Sequence, residues 1–183
     1  FLGFFFFFFF WFFFFCFFFF LSFVFLGFFA FVNHAYSDDF SVSHVDSDWK
    51  NGKSSVPKKG ICKYHGGKGM SPELTLSNIP EKTTAFLVSF TDRNYGTTGG
   101  HGEFKISYDG TSSEFTIKSV EGETKKLPEG YEGIKRHHGS MTQSGYYLGP
   151  CSGGRWNSYY VRVDALGSDG KPIASAKANL GNY

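Results

Sequence analysis

The sequence predicts a mainly β domain, a two-layer β-sandwich with few or no helices, preceded by a hydrophobic N-terminal segment. Three observations predict it. Seven short runs either alternate in hydropathy or are apolar over a strand's length, and Gly, Pro and Asp turns separate them. No segment sustains the apolar period of about 3.6 that an amphipathic helix needs. The opening of the chain differs in composition from everything after it.

Of 26 Phe, 21 lie within positions 1–31, and no formally charged residue precedes Asp38. All 18 Lys+Arg and all 16 Asp+Glu follow, so the net charge of +2 belongs to the remainder. That charge is too small to argue for nucleic acid or an anionic membrane as a partner. The stretch "FLGFFFFFFFWFFFFCFFFFLSFVFLGFFAFV" has no polar face. It is longer than the roughly 20 residues that cross a bilayer and longer than the usual core of a signal peptide. "AYS" follows, with small residues at Ala35 and Ser37 that suit cleavage before Asp38. Three readings stand: an export signal, which the small residues favour; a retained anchor formed by residues 1–32; or a translated low-complexity tract. The organisation expected is therefore a hydrophobic signal or anchor over 1–37, a polar region with one edge strand over 38–60, and a β domain over 61–183. The protein is expected to be secreted or extracytoplasmic, and to meet a membrane only through the N-terminal segment if that is retained.

The elements follow in order. "FSVSHV" alternates and predicts the edge strand. Leu74 and Leu76 mark a short second strand in a turn-rich stretch. "AFLVSFTD", residues 85–92, is nearly all apolar, as a strand covered on both faces would be. The glycine-rich "RNYGTTGGHG" is a loop. "EFKISYDG" and "EFTIKSV" alternate on either side of Asp109-Gly110, which predicts a hairpin. "EGETKKLPEGYEGIKRHHGSMTQ" reads as a long polar connection. "SYYVRVDAL" puts Tyr159, Val161, Val163 and Ala165 on one face, and a second Asp-Gly turn joins it to "IASAKANLG".

Cys16 sits in the apolar run, leaving Cys62 and Cys151 in the remainder. An even pair in an exported domain predicts a disulfide, against the alternative of two buried free thiols. Four places carry residues with chemistry to offer. Asp92 ends the buried strand, and His101 closes the glycine-rich loop that follows. Gly149-Pro150-Cys151 forms an elbow, and His137-His138 sits in the long connection, where a solvated basic loop after Lys135-Arg136 is expected. A glycine loop lets backbone N–H groups turn inward, and with those of the 149–154 elbow it would make a concave anion site. Asp92 also reads as a turn cap and His101 as a packed, hydrogen-bonded histidine. There is no metal-ligand spacing, no G-x-S-x-G elbow and no P-loop.

"CKYHGGKGMSPELTLSNIP", "FLVSFTD…GGHGEF", "YYLGPCSGGRW…YYVRVDAL" and "ASAKANLGNY" occur in the order found in the phosphatidylethanolamine-binding protein family. Residues 61–183 resemble its bacterial-type branch. The resemblance implies a β-sandwich-like fold with a small pocket for phosphate-like groups or lipid head groups, and no cofactor. By position, Asp92 matches the first Asp of D-P-D and His101 the His of W-H-W. Tyr147, Gly149 and Pro150 match the G-Y-x-G-P turn. Asn157 falls where the family has the His of H-R-Y, "DRN" replaces D-P-D, "GHG" replaces W-H-W, and the helix before the final strand is missing. The expected ligand set is thus Asp92, His101, Tyr147, Gly149, Pro150 and Asn157. The expected function is an exported, non-enzymatic binding protein with an anion pocket. The alternative is a secreted or anchored β-sandwich that contacts a protein partner through a degenerate pocket. A hydrolase using Asp92 and His101 lacks a nucleophile.

Overall fold

Eight strands form two antiparallel sheets in the computed structural model, which describes residues 39–49, 55–96 and 98–183. The smaller sheet has the order β1 (Ser41–His44), β2 (Leu74–Ser77), β5 (Glu114–Ile117). The larger has the order β6 (Tyr131–Lys135), β4 (Glu103–Ser107), β3 (Ala85–Asp92), β7 (Ser158–Leu166), β8 (Pro172–Asn182). The only helical element among the described residues is a 3₁₀ turn at Lys63–His65. The β-sandwich expected from the sequence is therefore the fold observed. The apolar tract over 1–37, with Cys16, lies outside the described residues, as do residues 50–54 of the polar region.

The apolar run of β3 places it at the centre of the larger sheet, hydrogen-bonded to β4 on one side and β7 on the other. From Val88 to Asp92 every residue is buried. Phe86, Val88 and Phe90 point into the core, where Leu74 and Leu76 of β2 meet them from the other sheet. The Phe86 ring, fully buried, lies 5.0 Å from that of Tyr108 and 5.3 Å from that of Phe115 on β5, so it joins the layers. A side chain of this kind stabilises the fold by roughly 1.5–3 kcal/mol through burial alone. On β7 the predicted alternation holds, with Tyr159, Val161, Val163 and Ala165 in the core. Asp164 is buried too, accepting from Arg162 Nε at 2.7 Å and from the Ser175 hydroxyl.

Two expectations are corrected. β4 and β5 do not form a hairpin: β4 pairs with β3 and β6, whereas β5 pairs with β2 in the other sheet. The Asp109-Gly110 turn is present, with Asp109 Oδ1 accepting from the Thr111 N–H at 3.1 Å, but it carries the chain across the sandwich. Alternation says which face of a strand is apolar, and the inner faces of both sheets are apolar, so the pattern fits either sheet. The long polar connection contains β6, an edge strand. Its outward residues include Ile134, which is exposed, and its inward set is Tyr131, Gly133 and Lys135. An edge strand with this mixed polarity has no period-2 signature to read.

Truncating the core at its centre gives a direct check. Phe90, 1 % exposed, packs 4.4 Å from the Tyr147 ring and 5.9 Å from that of Phe104. Phe90→Ala is expected to lower the unfolding free energy by about 3–5 kcal/mol in urea denaturation.

Candidate functional site

β3 ends at Asp92, and the loop after it returns at His101 to run beside the strand it left. The His101 N–H donates to the Phe90 carbonyl at 3.0 Å and the Phe90 N–H to the Gly102 carbonyl at 3.1 Å, extending the β3–β4 ladder to the histidine. The elbow meets the same place. The Leu148 N–H donates to the His101 carbonyl at 2.8 Å, and His101 Nδ1 donates to the Leu148 carbonyl at 2.9 Å. That bond fixes the tautomer and leaves Nε2 as the unprotonated nitrogen of the neutral ring. The "GHG" sequence has a steric cause on one side. Gly102 has φ +102°, and a Cβ there would lie 2.2 Å from the Tyr146 carbonyl oxygen.

The disulfide predicted from the cysteine count is formed. Cys62 and Cys151 are joined with Cα atoms 5.3 Å apart. The Cys62 N–H donates to the Pro150 carbonyl at 3.1 Å, so the bridge is accompanied by backbone contact. The 3₁₀ turn begins immediately after Cys62, and the bridge therefore carries Tyr64 and His65 to the elbow.

These elements enclose a cavity of about 430 Å³ lined by Asp92, His101, Leu148, Cys151, Ser152 and Tyr159, with Tyr64, His65, Tyr95, His138, Met141 and Arg155 among the outer groups. Asp92 and His101 are thus brought together with the elbow. The other positions carried over from the family resemblance do not line the cavity. Tyr147 is 1 % exposed and belongs to the core. Gly149 and Pro150 are buried beside the cavity and do not line it. Asn157 also stands behind the wall, donating from Nδ2 to Asp92 Oδ2 at 2.7 Å. The other Asp92 oxygen accepts from the Asn94 N–H at 2.8 Å, so the turn-cap role read from the sequence is real and both oxygens are engaged. His137 corrects the solvated-loop expectation. It is 7 % exposed, with Nε2 on the Gln143 carbonyl at 2.8 Å, while only His138 reaches the cavity rim.

Sequence reasoning missed Tyr159, the cavity's most telling group. The run "SYYVRVDAL" assigned it correctly to the buried face, but nothing in the pattern showed that the residue lines a cavity. That hydroxyl is buried and has no hydrogen-bond partner, although Ser152 and Asp92 are close enough to influence it. Burial pushes its pKa up to about 12, so it stays a neutral donor. Burial also lowers the pKa of His101 below its ordinary 6.5, more than the Leu148 carbonyl and the Asp92 carboxylate raise it. Arg155 and the Tyr64–His65 pair were legible only as neighbours of the two cysteines.

The fold has counterparts among solved structures. One is E. coli YbcL, described as a new member of the mammalian PEBP family: 20 % identity, 79 % of this chain and 98 % of that chain covered, TM-score 0.55. Another is CT736 from Chlamydia trachomatis, a phosphatidylethanolamine-binding protein homologue: 20 % identity, 80 % and 97 % covered, TM-score 0.53. No protein-family model and no curated protein matches the sequence. At this identity the likeness is one of fold, and the fold is that of the phosphatidylethanolamine-binding proteins.

Three outcomes are expected here. Gly102→Ala should destabilise the fold and broaden or shift the His101 resonances, read by thermal melting and NMR, because a Cβ meets backbone at a conformation disfavoured for L residues. Reducing the disulfide, which spans 89 residues, should cost about 2–5 kcal/mol in denaturation with the fold retained. Stability should fall with pH. His101 and His137 both have lowered pKa values, so below about 6.5 the unfolded chain binds protons that the folded one resists. Their contribution is complete above that value and is lost as pH falls through it. Urea midpoints at about pH 7.5 and about pH 5.5 should show the drop, and His101→Gln should shrink it.

Proposed function

We propose that this protein is an exported, non-enzymatic binding protein that takes a small phosphate-like group, free or as a lipid head group, into the cavity between Asp92, His101 and the elbow. The observation that carries the reading is the buried Tyr159 hydroxyl, which has no hydrogen-bond partner and belongs to a residue that lines the cavity. Leaving such a group unpaired costs about 1–3 kcal/mol, an expense that a ligand acceptor offsets. Arg155 at the outer edge supplies positive charge. Asp92 is not aimed at the anion by this account. Its oxygens hold Asn94 and Asn157, and it contributes by position and by its effect on His101. Export is supported by the apolar tract with its small residues at Ala35 and Ser37 and by the disulfide.

The PEBP-type names of the solved neighbours point the same way. A protein contact is the second reading, favoured by Tyr64, Tyr95 and Met141, which stand 55 %, 70 % and 71 % exposed around the opening.

Titration of inorganic phosphate and phosphoethanolamine followed by NMR tests the proposal. Millimolar binding is expected, roughly 4 kcal/mol, with shifts at Tyr159 and His101. Affinity should rise as pH falls below 6.5, since only then does His101 gain charge, and His101→Ala should remove that rise. Tyr159→Phe should weaken binding about tenfold and leave stability unchanged or improved, because the hydroxyl has no partner to lose. Absence of shifts at either pH would leave the protein-contact reading.

A further inference from the structure

The ligand atoms of Cys62, His65 and Cys151 lie within 4.8 Å of one another. Bonded to each other, the sulfurs offer no thiolate, so the oxidised protein has no metal site there. Reduction changes the donor set. We propose that the reduced protein binds one thiophilic divalent cation of the zinc class through Cys62, His65 and Cys151, with a fourth position open to the cavity.

Tetrahedral zinc with bonds of about 2.3 Å to sulfur and about 2.0 Å to nitrogen spaces its donors roughly 3.5–3.8 Å apart. The three groups need only small side-chain rotations to reach that spacing. Their backbone is already fixed: Cys62 and His65 share one 3₁₀ turn, with the His65 N–H on the Cys62 carbonyl at 3.1 Å, and the Cys62 N–H holds the elbow through Pro150. The Cα–Cα distance of 5.3 Å comes from this frame as well as from the bond. Access is provided, because His65 is exposed and both His65 and Cys151 line the cavity. Three protein ligands with an open position form a site that admits water or a ligand atom, unlike a closed four-ligand structural site.

The chemistry balances with a dithiol donor. It passes two electrons and two protons to the disulfide, breaking the S–S bond to give two thiols, and is itself oxidised to a disulfide. The cation then displaces both thiol protons to solvent and forms two metal–sulfur bonds and one metal–nitrogen bond. This site does not depend on the anion reading, which concerns Tyr159 and Arg155 in the oxidised protein.

Cobalt(II) titration provides the test. A phosphine reductant is used because a dithiol would itself chelate cobalt, and near-ultraviolet circular dichroism reports whether the fold persists. The reduced wild type should bind one equivalent and develop a sulfur-to-cobalt charge-transfer band, and the oxidised protein should not. Cys151→Ser should abolish the band. His65→Ala should keep the fold and weaken cobalt at least about tenfold, the least that even an outer-shell partner's loss costs. The proposal is overturned if the folded, reduced protein shows no band, if His65→Ala binds as tightly as wild type, if the oxidised protein binds equally, or if reduction abolishes the tertiary signal.

Discussion

The central position of β3 is the constraint on which the rest of the domain depends. A strand that is apolar on both sides cannot stand at a sheet edge in water. It has to be flanked by two hydrogen-bonding neighbours and covered by a second layer. β4 and β7 provide the first, and Phe86, Val88 and Phe90 facing β2 and β5 require the second. The same strand delivers Asp92 to the end of the sandwich, buried and held by Asn94 and Asn157. Packing and the candidate site are two consequences of one run of residues.

The Cys62–Cys151 bridge acts on a different scale. Without it, the turn-rich stretch around the 3₁₀ turn would be attached to the elbow by backbone hydrogen bonds alone. With it, Tyr64 and His65 are held at a cavity made chiefly by β3, β7 and their loops. The bridge therefore both restrains the chain and completes the wall. Its sulfurs also stand beside an exposed imidazole, so the oxidation state of one bond decides which chemistry that corner can offer.

The cavity's electrostatics are governed by burial more than by charge. Burial raises Tyr159 and lowers His101, so near neutral pH both present uncharged groups. Recognition of an anion in such a place rests on hydrogen-bond donors first and on charge from Arg155 second.

The sequence by itself determined seven of the eight described strands, the central apolar strand, the faces of β7 and the nearness of Asp92 and His101 at the two ends of one loop. Each of these follows from local pattern or from the short reach of one loop. Residue types also determined that Cys62 and Cys151 were available to pair. Tertiary structure alone decided the sheet to which β5 belongs, because both inner faces of a sandwich ask for the same alternation. It decided that edge strand β6 exists, since an edge needs only one partner and little apolar signal. It put Tyr147 and Asn157 behind the cavity wall and Tyr159 in it, although all three are buried, because burial is a property of composition and neighbours whereas facing a cavity depends on where other segments stop.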